Sequence, residues 1–173
     1  EFETRLIRLA VGMPSLNHVR ALGIEEGQPV WEISRLRLRG ERRTVVERAI
    51  IPLSLVPAID EAQLADGRSL YELLAERYDI VEAYAEQVFQ VDRPSQWERE
   101  QLQLAADDPV MRVRGISYTD DDVPFDSYQQ TYRADEYLFY MQGARTSPRL
   151  VSPEGSGSWA VRSLGGEAAE PSE

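Results

Sequence analysis

The sequence uses one pattern twice. Residues 29–37 read Pro-Val-Trp-Glu-Ile-Ser-Arg-Leu-Arg and lead through a polar turn to Val45-Val46-Glu47. Residues 109–113 read Pro-Val-Met-Arg-Val and lead through a second polar turn to Pro124-Phe125-Asp126. The interval from the opening proline to the acid differs by a single position between the two copies. Each copy has the composition of a β-hairpin, so the chain is expected to contain a duplicated half-domain with both hairpins in one sheet.

Length and composition favour one domain with its own core. The chain has 173 residues, 42% of them hydrophobic, and no cysteine, so its fold is expected to need neither disulfides nor a metal. It has no apolar run near the roughly 18 residues of a membrane helix, and no basic-then-apolar leader. These features predict a cytoplasmic protein with no membrane partner.

The charge balance argues against direct contact with nucleic acid. Thirty acidic against 19 basic side chains give a net charge of −11, which repels a polyanion. The densest basic stretch places Arg35, Arg37 and Arg39 on one face of a predicted strand, with Arg42 and Arg43 expected in its turn. That stretch is too local for a DNA track but is sufficient for one phosphate or carboxylate.

Periodicity and capping residues predict a mixed order of strands and helices. Strands are predicted at 3–11, 29–39, 44–51 and 80–91, although the composition of 80–91 also fits a helix, and the second hairpin at 109 to about 140. Helices are predicted after the N-cap residues Ser15, Ser69 and Ser95, and 57–67 is predicted to be a loop. After Met141 the composition changes to Gly, Ser, Pro, Ala and Glu, which predicts a domain at 1–141 and a loosely held tail at 142–173.

The two hairpins carry the candidate binding residues. Arg35, Arg37, Glu47 and Asp126 are expected around one cavity that grips a small polar ligand. An ion pair between the arginines and Glu47 without any ligand is an alternative that fits the same pattern. Ser69 is a helix cap in either case.

Catalytic and metal-binding patterns are missing from the sequence. The chain has no cysteine, a single histidine (His18), no Gly-rich phosphate loop and no Gly-x-Ser-x-Gly motif. We therefore predict no catalytic residue, no metal and no cofactor, and assign no role to His18.

The order of several motifs resembles one family. Leu-Gly-x-x-x-Gly-x-x-Val, Arg-x-Arg, an acid, Ile-Pro, Ser-Leu-Tyr, Pro-Phe-acid and Tyr-Arg-Ala-Asp follow each other between residues 4 and 141. This order resembles the UTRA effector-binding domain of GntR-type transcription regulators of the HutC subfamily. The resemblance implies an α+β fold with a six-stranded, mostly antiparallel sheet flanked by helices, related to chorismate lyase, and a homodimer.

The resemblance also implies a ligand and its contacts. In relatives that bind phosphorylated sugars, an arginine pair and a Ser-x-Tyr motif hold the phosphate, and the matching residues here are Arg35, Arg37, Ser69 and Tyr71. Glu47, Asp126 and Tyr132 match further family positions. Asp126 stands where relatives that recognise amino-sugar phosphates often have glutamate.

The expected function is therefore a non-catalytic ligand sensor for a small anionic metabolite such as a phosphosugar. DNA would be bound only by an N-terminal winged helix-turn-helix, which the chain is expected to lack. The alternatives are a chorismate lyase-like enzyme acting on a small carboxylate and a dimerisation module with a vestigial pocket.

Overall fold

The structure, a computed structural model, describes residues 2–137 of the chain. Strands and helices follow each other as β1 (Phe2–Gly12), α1 (Leu16–Leu22), β2 (Val30–Arg39), β3 (Arg42–Pro52), a 3₁₀ helix (Glu61–Gly67), α2 (Leu70–Tyr78), β4 (Tyr84–Asp92), α3 (Gln96–Leu102), β5 (Val110–Tyr118) and β6 (Pro124–Arg133). Within these residues, no helix is both long and apolar enough to cross a bilayer.

The six strands form one antiparallel sheet in the order β1-β2-β3-β6-β5-β4. Each half of the chain contributes a strand, a helix and a hairpin, and the last strands of the two halves, β3 and β6, pair at the centre. One constant offset in numbering relates the halves, since the shift that carries the cap Ser15 to Ser95 also carries the strand start Val30 to Val110. The predicted α+β class, the antiparallel sheet and the duplication are confirmed.

The two hairpin acids share a face of the sheet but pair with residues at different positions along their neighbouring strands. Glu47 pairs with Arg35, six residues after Pro29, whereas Asp126 pairs with Ser117, eight residues after Pro109. Both hairpins have one register shift, between Arg37 and Leu38 and between Ser117 and Tyr118, so the acid of the second hairpin is displaced by its longer connection, residues 119–123. The two sequence intervals are similar, but the residues that pair with the two acids differ by two positions along their strands.

The two faces of the sheet are covered by different helices. On one face, Ile33, Ile51 and Phe125 pack with Leu73 and Leu74 of α2, in a core that also includes Leu64 of the 3₁₀ helix. The other face lies under α1 and α3, and its clusters are Leu36, Leu38, Val46 and Leu102 near α3 and Ala21, Ile116 and Tyr118 near α1. A cavity lies next to the core on each of the two faces.

Most predicted elements are present, and three differ. The segment 80–91 is a strand, but it starts only at Tyr84. The predicted loop at 57–67 is irregular over 57–60 but wrong over 61–67, because Asp60 and Gln63 form a capping box that starts the 3₁₀ helix. Arg42 and Arg43 belong to β3 rather than to the turn, which consists of Gly40 and Glu41 between the paired Arg39 and Arg42. The proposed tail at 142–173 lies outside the described residues.

Candidate ligand-binding site

A cavity of about 400 Å³ lies on the face of the sheet next to α2. We call it the arginine cavity. Six of the seven residues singled out in the sequence line it, namely Arg35, Arg37, Glu47, Ser69, Tyr71 and Asp126. Its other lining residues are Thr4, Arg48, Ala49, Gly67, Glu82, Gln87, Tyr128 and Gln130. The structure thus brings residues from both halves of the chain to one place.

Two arginines of β2 share a single carboxylate. Nη2 of Arg35 lies 2.9 Å from Oε2 of Glu47, and Nη2 of Arg37 lies 2.7 Å from Oε1 of the same residue. The Glu47 side chain is only 6% exposed and that of Arg35 13%, whereas the Arg37 side chain is 46% exposed. The group of three carries one net positive charge, so the ion pair holds two guanidinium groups at the cavity without neutralising them.

Tyr132 reaches this group through an intermediate residue. Gln130 Nε2 donates to Oε1 of Glu47 over 3.2 Å, and the Tyr132 hydroxyl donates to Oε1 of Gln130 over 2.6 Å. Burial, together with the charge of Glu47, raises the pKa of Tyr132 to about 12. Tyr132 is therefore placed behind the wall of the cavity, and Gln130 stands at the wall itself.

A chain of polar contacts forms the opposite side of the cavity. The Tyr71 hydroxyl lies 2.9 Å from Oδ2 of Asp126 and 2.9 Å from Oγ of Ser117, and Ser117 donates to Glu82 over 2.5 Å. Oδ1 of Asp126 accepts from the backbone N–H of Ile50. Three contacts thus connect these four side chains, but the hydroxyl groups of Tyr71 and Ser117 supply only two hydrogens for them. The Tyr71 hydroxyl donates to Asp126 and the Ser117 hydroxyl to Glu82, and a further proton on either carboxyl would supply the third hydrogen.

The burial of Asp126 agrees with that proton count. The residue is 2% exposed, and burial raises the pKa of its carboxyl to about 7, although the hydrogen bonds from Tyr71 and from Ile50 N–H lower it. Burial likewise raises the pKa of Tyr71, so its phenol keeps its proton at neutral pH. Asp126 can therefore change its protonation state close to neutrality.

Ser69 is the N-cap of α2, as the sequence indicates. Its Oγ accepts from the backbone N–H of Glu72 over 3.4 Å, which leaves the hydroxyl hydrogen to be donated elsewhere. Because Ser69 also lines the cavity, the first turn of α2 lies at its edge. In the described part of the chain, no group of three or more His, Asp or Glu side chains could hold a metal ion.

Sequence reasoning missed six polar residues of the cavity: Thr4, Arg48, Glu82, Gln87, Tyr128 and Gln130. Tyr128 and Gln130 lie between Asp126 and Tyr132 on the same face of β6, so strand alternation alone could have indicated them. Gln87 donates to the Tyr128 hydroxyl from β4 over 2.7 Å. Glu82 precedes β4 in a segment without regular structure, and no sequence pattern points to it.

Comparison with known proteins identifies the family of this fold. The sequence profile of the UTRA domain matches residues 1–138. The chain belongs to the UTRA domain family. A curated relative, the HTH-type transcriptional regulator GmuR of Bacillus subtilis, is 22% identical over 138 residues, which are 80% of this chain and 57% of that protein. A second, the uncharacterized HTH-type transcriptional regulator YurK of the same organism, is 27% identical over 103 residues, or 60% of this chain and 42% of that protein.

This UTRA domain thus spans about half the length of the curated relatives it matches. Solved structures share its fold. The ligand-binding domain of a GntR-family transcriptional regulator from Bordetella bronchiseptica has a TM-score of 0.79 at 21% identity, covering 83% of this chain and 90% of that one. The effector domain of PhnF from Mycobacterium smegmatis has a TM-score of 0.73 at 21% identity, covering 83% of this chain and 88% of that one. At such identities the similarity shows the fold alone.

Proposed function

We propose that this UTRA domain is the non-catalytic sensor of a GntR-type regulator and binds a small anionic metabolite, a phosphorylated sugar, in the arginine cavity. The observation that carries the proposal is the shared ion pair of Arg35 and Arg37 with Glu47 beside Ser69. Guanidinium groups offer forked N–H donors that match phosphate oxygens. Glu47 already holds both groups in place, so a phosphate would not have to order them on binding.

The rest of the cavity suits the sugar. Ser69 has a hydroxyl hydrogen to donate to phosphate at the start of α2, where the helix dipole also favours an anion. Asp126 and Glu82, on the opposite side, are acceptors for sugar hydroxyl or amino groups. The volume of about 400 Å³ falls within the range of small-molecule sites. Tyr132 would support the site through Gln130 and Glu47 rather than touch the ligand.

In the whole regulator, ligand binding would be coupled to DNA binding by an N-terminal winged helix-turn-helix domain. A ligand with different affinities for two arrangements of the sensor shifts their populations, typically by about 1–3 kcal/mol of coupling free energy. We further propose a cytoplasmic homodimer of the HutC subfamily. The transcription regulators among the relatives support this proposal, and sedimentation of the chain with and without ligand tests the dimer.

A thermal-shift screen tests the ligand class. Glucose 6-phosphate and glucosamine 6-phosphate are compared with their unphosphorylated sugars and with chorismate and urocanate. A ligand that binds only the folded chain at 100 times its Kd adds about 2.7 kcal/mol to the free energy of unfolding. A higher melting temperature with a sugar phosphate, but not with its parent sugar, supports the proposal. An unchanged melting temperature with every phosphate contradicts it.

A lyase-like enzyme is the second candidate, and the raised pKa of Asp126 favours it. A buried carboxyl that titrates near pH 7 next to two guanidinium groups is suited to proton transfer on a small carboxylate. Incubation of the purified chain with chorismate, followed by chromatography, distinguishes the two. Turnover that is lost in Asp126→Asn would establish the enzyme, whereas absence of turnover removes it.

A further inference from the structure

A second cavity, of about 580 Å³, lies on the face of the sheet that α1 and α3 cover. We call it the helix-side cavity. Residues from β1, α1, β2, β3, α3 and β6 line it, so both halves of the chain contribute. Its volume is within the range of small-molecule sites. The sheet separates it from the arginine cavity, with Arg48 and Ala49 of β3 lining both.

The Arg48 side chain is the distinctive group of this cavity. Its guanidinium lies 3.8 Å from the centroid of the Trp97 ring, in a cation–π contact. Among the residues that the structure describes, it forms no ion pair with a carboxylate and no hydrogen bond. Burial lowers the pKa of Arg48, and the charges of Glu98 and Glu32 only partly oppose this. A cation is thus held on an aromatic ring while its N–H donors stay unused by the described residues.

One helix position next to the cavity differs in charge between the two halves of the chain. In the second half, Glu98 of α3 accepts from Nη2 of Arg112 over 2.6 Å and from Nε over 2.9 Å, so the helix supplies a carboxylate to a buried arginine. The offset between the halves places His18 of α1 at the position of Glu98. Burial lowers the pKa of His18, which keeps the imidazole neutral, and its Nδ1 lies 3.0 Å from Oγ of Ser127. The first-half helix therefore brings no negative charge to the cavity.

The charges that remain favour an anion. Arg8 and Arg48 line the cavity with one carboxylate, Glu32, which lies 3.6 Å from Nη2 of Arg8. With His18 neutral, the lining carries one net positive charge.

The walls between these charges are apolar. Ile7, Ile50 and Trp97 line the cavity, and Met13 stands at its edge with 63% of its surface exposed. Such a lining accepts a flat apolar body, and the flexible Met13 thioether can adapt to its shape.

We propose that the helix-side cavity binds a small organic acid with a flat apolar body, whose carboxylate pairs with Arg48 and whose body packs against Trp97. Ser34, Ser127 and Gln129 supply hydrogen-bonding groups around the carboxylate. This site is independent of the sugar phosphate proposed for the arginine cavity. Occupation of one cavity is not required for occupation of the other.

Nuclear magnetic resonance of His18 tests the proposal with benzoate as probe. His18 is the only histidine, so its imidazole signals report this cavity without assignment. Benzoate titrated to millimolar concentration should shift them saturably, and the neutral isostere benzamide should not. In Arg48→Met the apparent Kd should rise about tenfold or more, because a charge-assisted contact is lost. Arg77→Met, on α2 at the other face, should bind like the wild type.

Three results with benzoate and benzamide would overturn the proposal, and a competition with phosphate adds a fourth. One is a lack of saturable His18 shifts with benzoate, and another is an unchanged Kd in Arg48→Met. The third is equal binding of benzamide by the wild type, a comparison that needs no variant. Inorganic phosphate should not displace benzoate, whereas displacement would show a site for bare anions and would contradict the role of the apolar body. Glucose 6-phosphate should leave the His18 shifts by benzoate unchanged.

Discussion

The Tyr71 hydroxyl lies 2.9 Å from Oδ2 of Asp126, joining α2 to the central strand β6 across the arginine cavity. The contact belongs to a chain of four groups, Asp126, Tyr71, Ser117 and Glu82, whose two hydroxyl groups supply two hydrogens for three contacts. Burial raises the pKa of the Asp126 carboxyl to about 7, so this group can titrate near neutral pH.

Asp126 should make the chain less stable as the pH rises towards neutrality. Its pKa of about 7 in the folded chain exceeds the roughly 3.9 of an unfolded aspartate, so between these values the folded state holds a proton that the unfolded state has released. The contribution of this proton to the free energy of unfolding is fully present below about pH 4 and is lost by about pH 7. Asp126→Asn, which mimics the protonated carboxyl, should remove this dependence. Denaturant unfolding of both chains from pH 4 to 8 measures it.

The expected difference between the two chains has a defined sign. Relative to wild type, Asp126→Asn should gain stability steadily from about pH 4 to 7, by a few kcal/mol in total, and no further above pH 7. A difference that does not change with pH would show that the carboxyl is ionised in the folded chain throughout.

Glu98 should have the opposite pH dependence. Burial alone would raise its pKa, but hydrogen bonds from Arg112, Ser95 and Thr131 lower it to about 2. The folded pKa is below that of an unfolded glutamate, so its stabilisation is present above about pH 4 and is lost as the pH falls towards 2.

Glu98→Gln should destabilise the chain by roughly 3 kcal/mol at pH 7. The substitution removes the carboxylate that compensates the buried Arg112 charge, and it places an amide N–H donor against the N–H donors of Arg112. Guanidinium unfolding measures the loss. The control is Glu100→Gln on the same helix, an exposed residue whose carboxylate accepts a hydrogen bond from Gln96 and whose replacement should change the stability by less than about 0.5 kcal/mol. Equal losses in the two variants would contradict the buried ion pair.

Gly115 should not tolerate alanine. A Cβ at this position would overlap the Tyr128 phenol and lie 2.8 Å from the Glu86 carbonyl oxygen. Gly115→Ala should cost about 1–3 kcal/mol of stability and displace Tyr128 from the cavity wall. In a Tyr128→Leu background the cost should be smaller, since the ring is gone, and a double-mutant cycle by denaturant unfolding measures the coupling. If the stability losses of the two substitutions are additive, the Tyr128 ring is not the reason that position 115 requires glycine.

Local signals account for most of what could be predicted from the sequence. The repeated hairpin and the serine caps at 15, 69 and 95 are short-range patterns, and they predict the strands and helices. Side-chain alternation places Arg35 and Arg37 on one face. The resemblance adds Ser69 and Tyr71, which reach the cavity from another element.

The remaining features depend on tertiary contacts. The displaced pairing of Asp126 arises from the longer connection between β5 and β6, which the similar sequence intervals of the two hairpins do not reveal. Glu82 reaches the cavity from an irregular segment, and its partner Ser117 belongs to a distant strand. Arg48 meets Trp97, which is remote from it in the sequence, because α3 of one half packs on β3 of the other. Such pairings follow from how the two halves fold together and have no local sequence signal.

Titration calorimetry of glucose 6-phosphate and glucosamine 6-phosphate against four chains tests the central claim most directly. The chains are wild type, Arg35→Met, Arg37→Met and the control Arg93→Met, which changes an exposed arginine paired with Asp107. The account predicts saturable binding to wild type and the control, with a Kd raised at least about tenfold in both cavity variants. Arg37 is half exposed, so its variant keeps the Arg35–Glu47 pair and the fold. Absence of binding by the wild type, or equal affinity in all four chains, would contradict an anion site at this arginine pair.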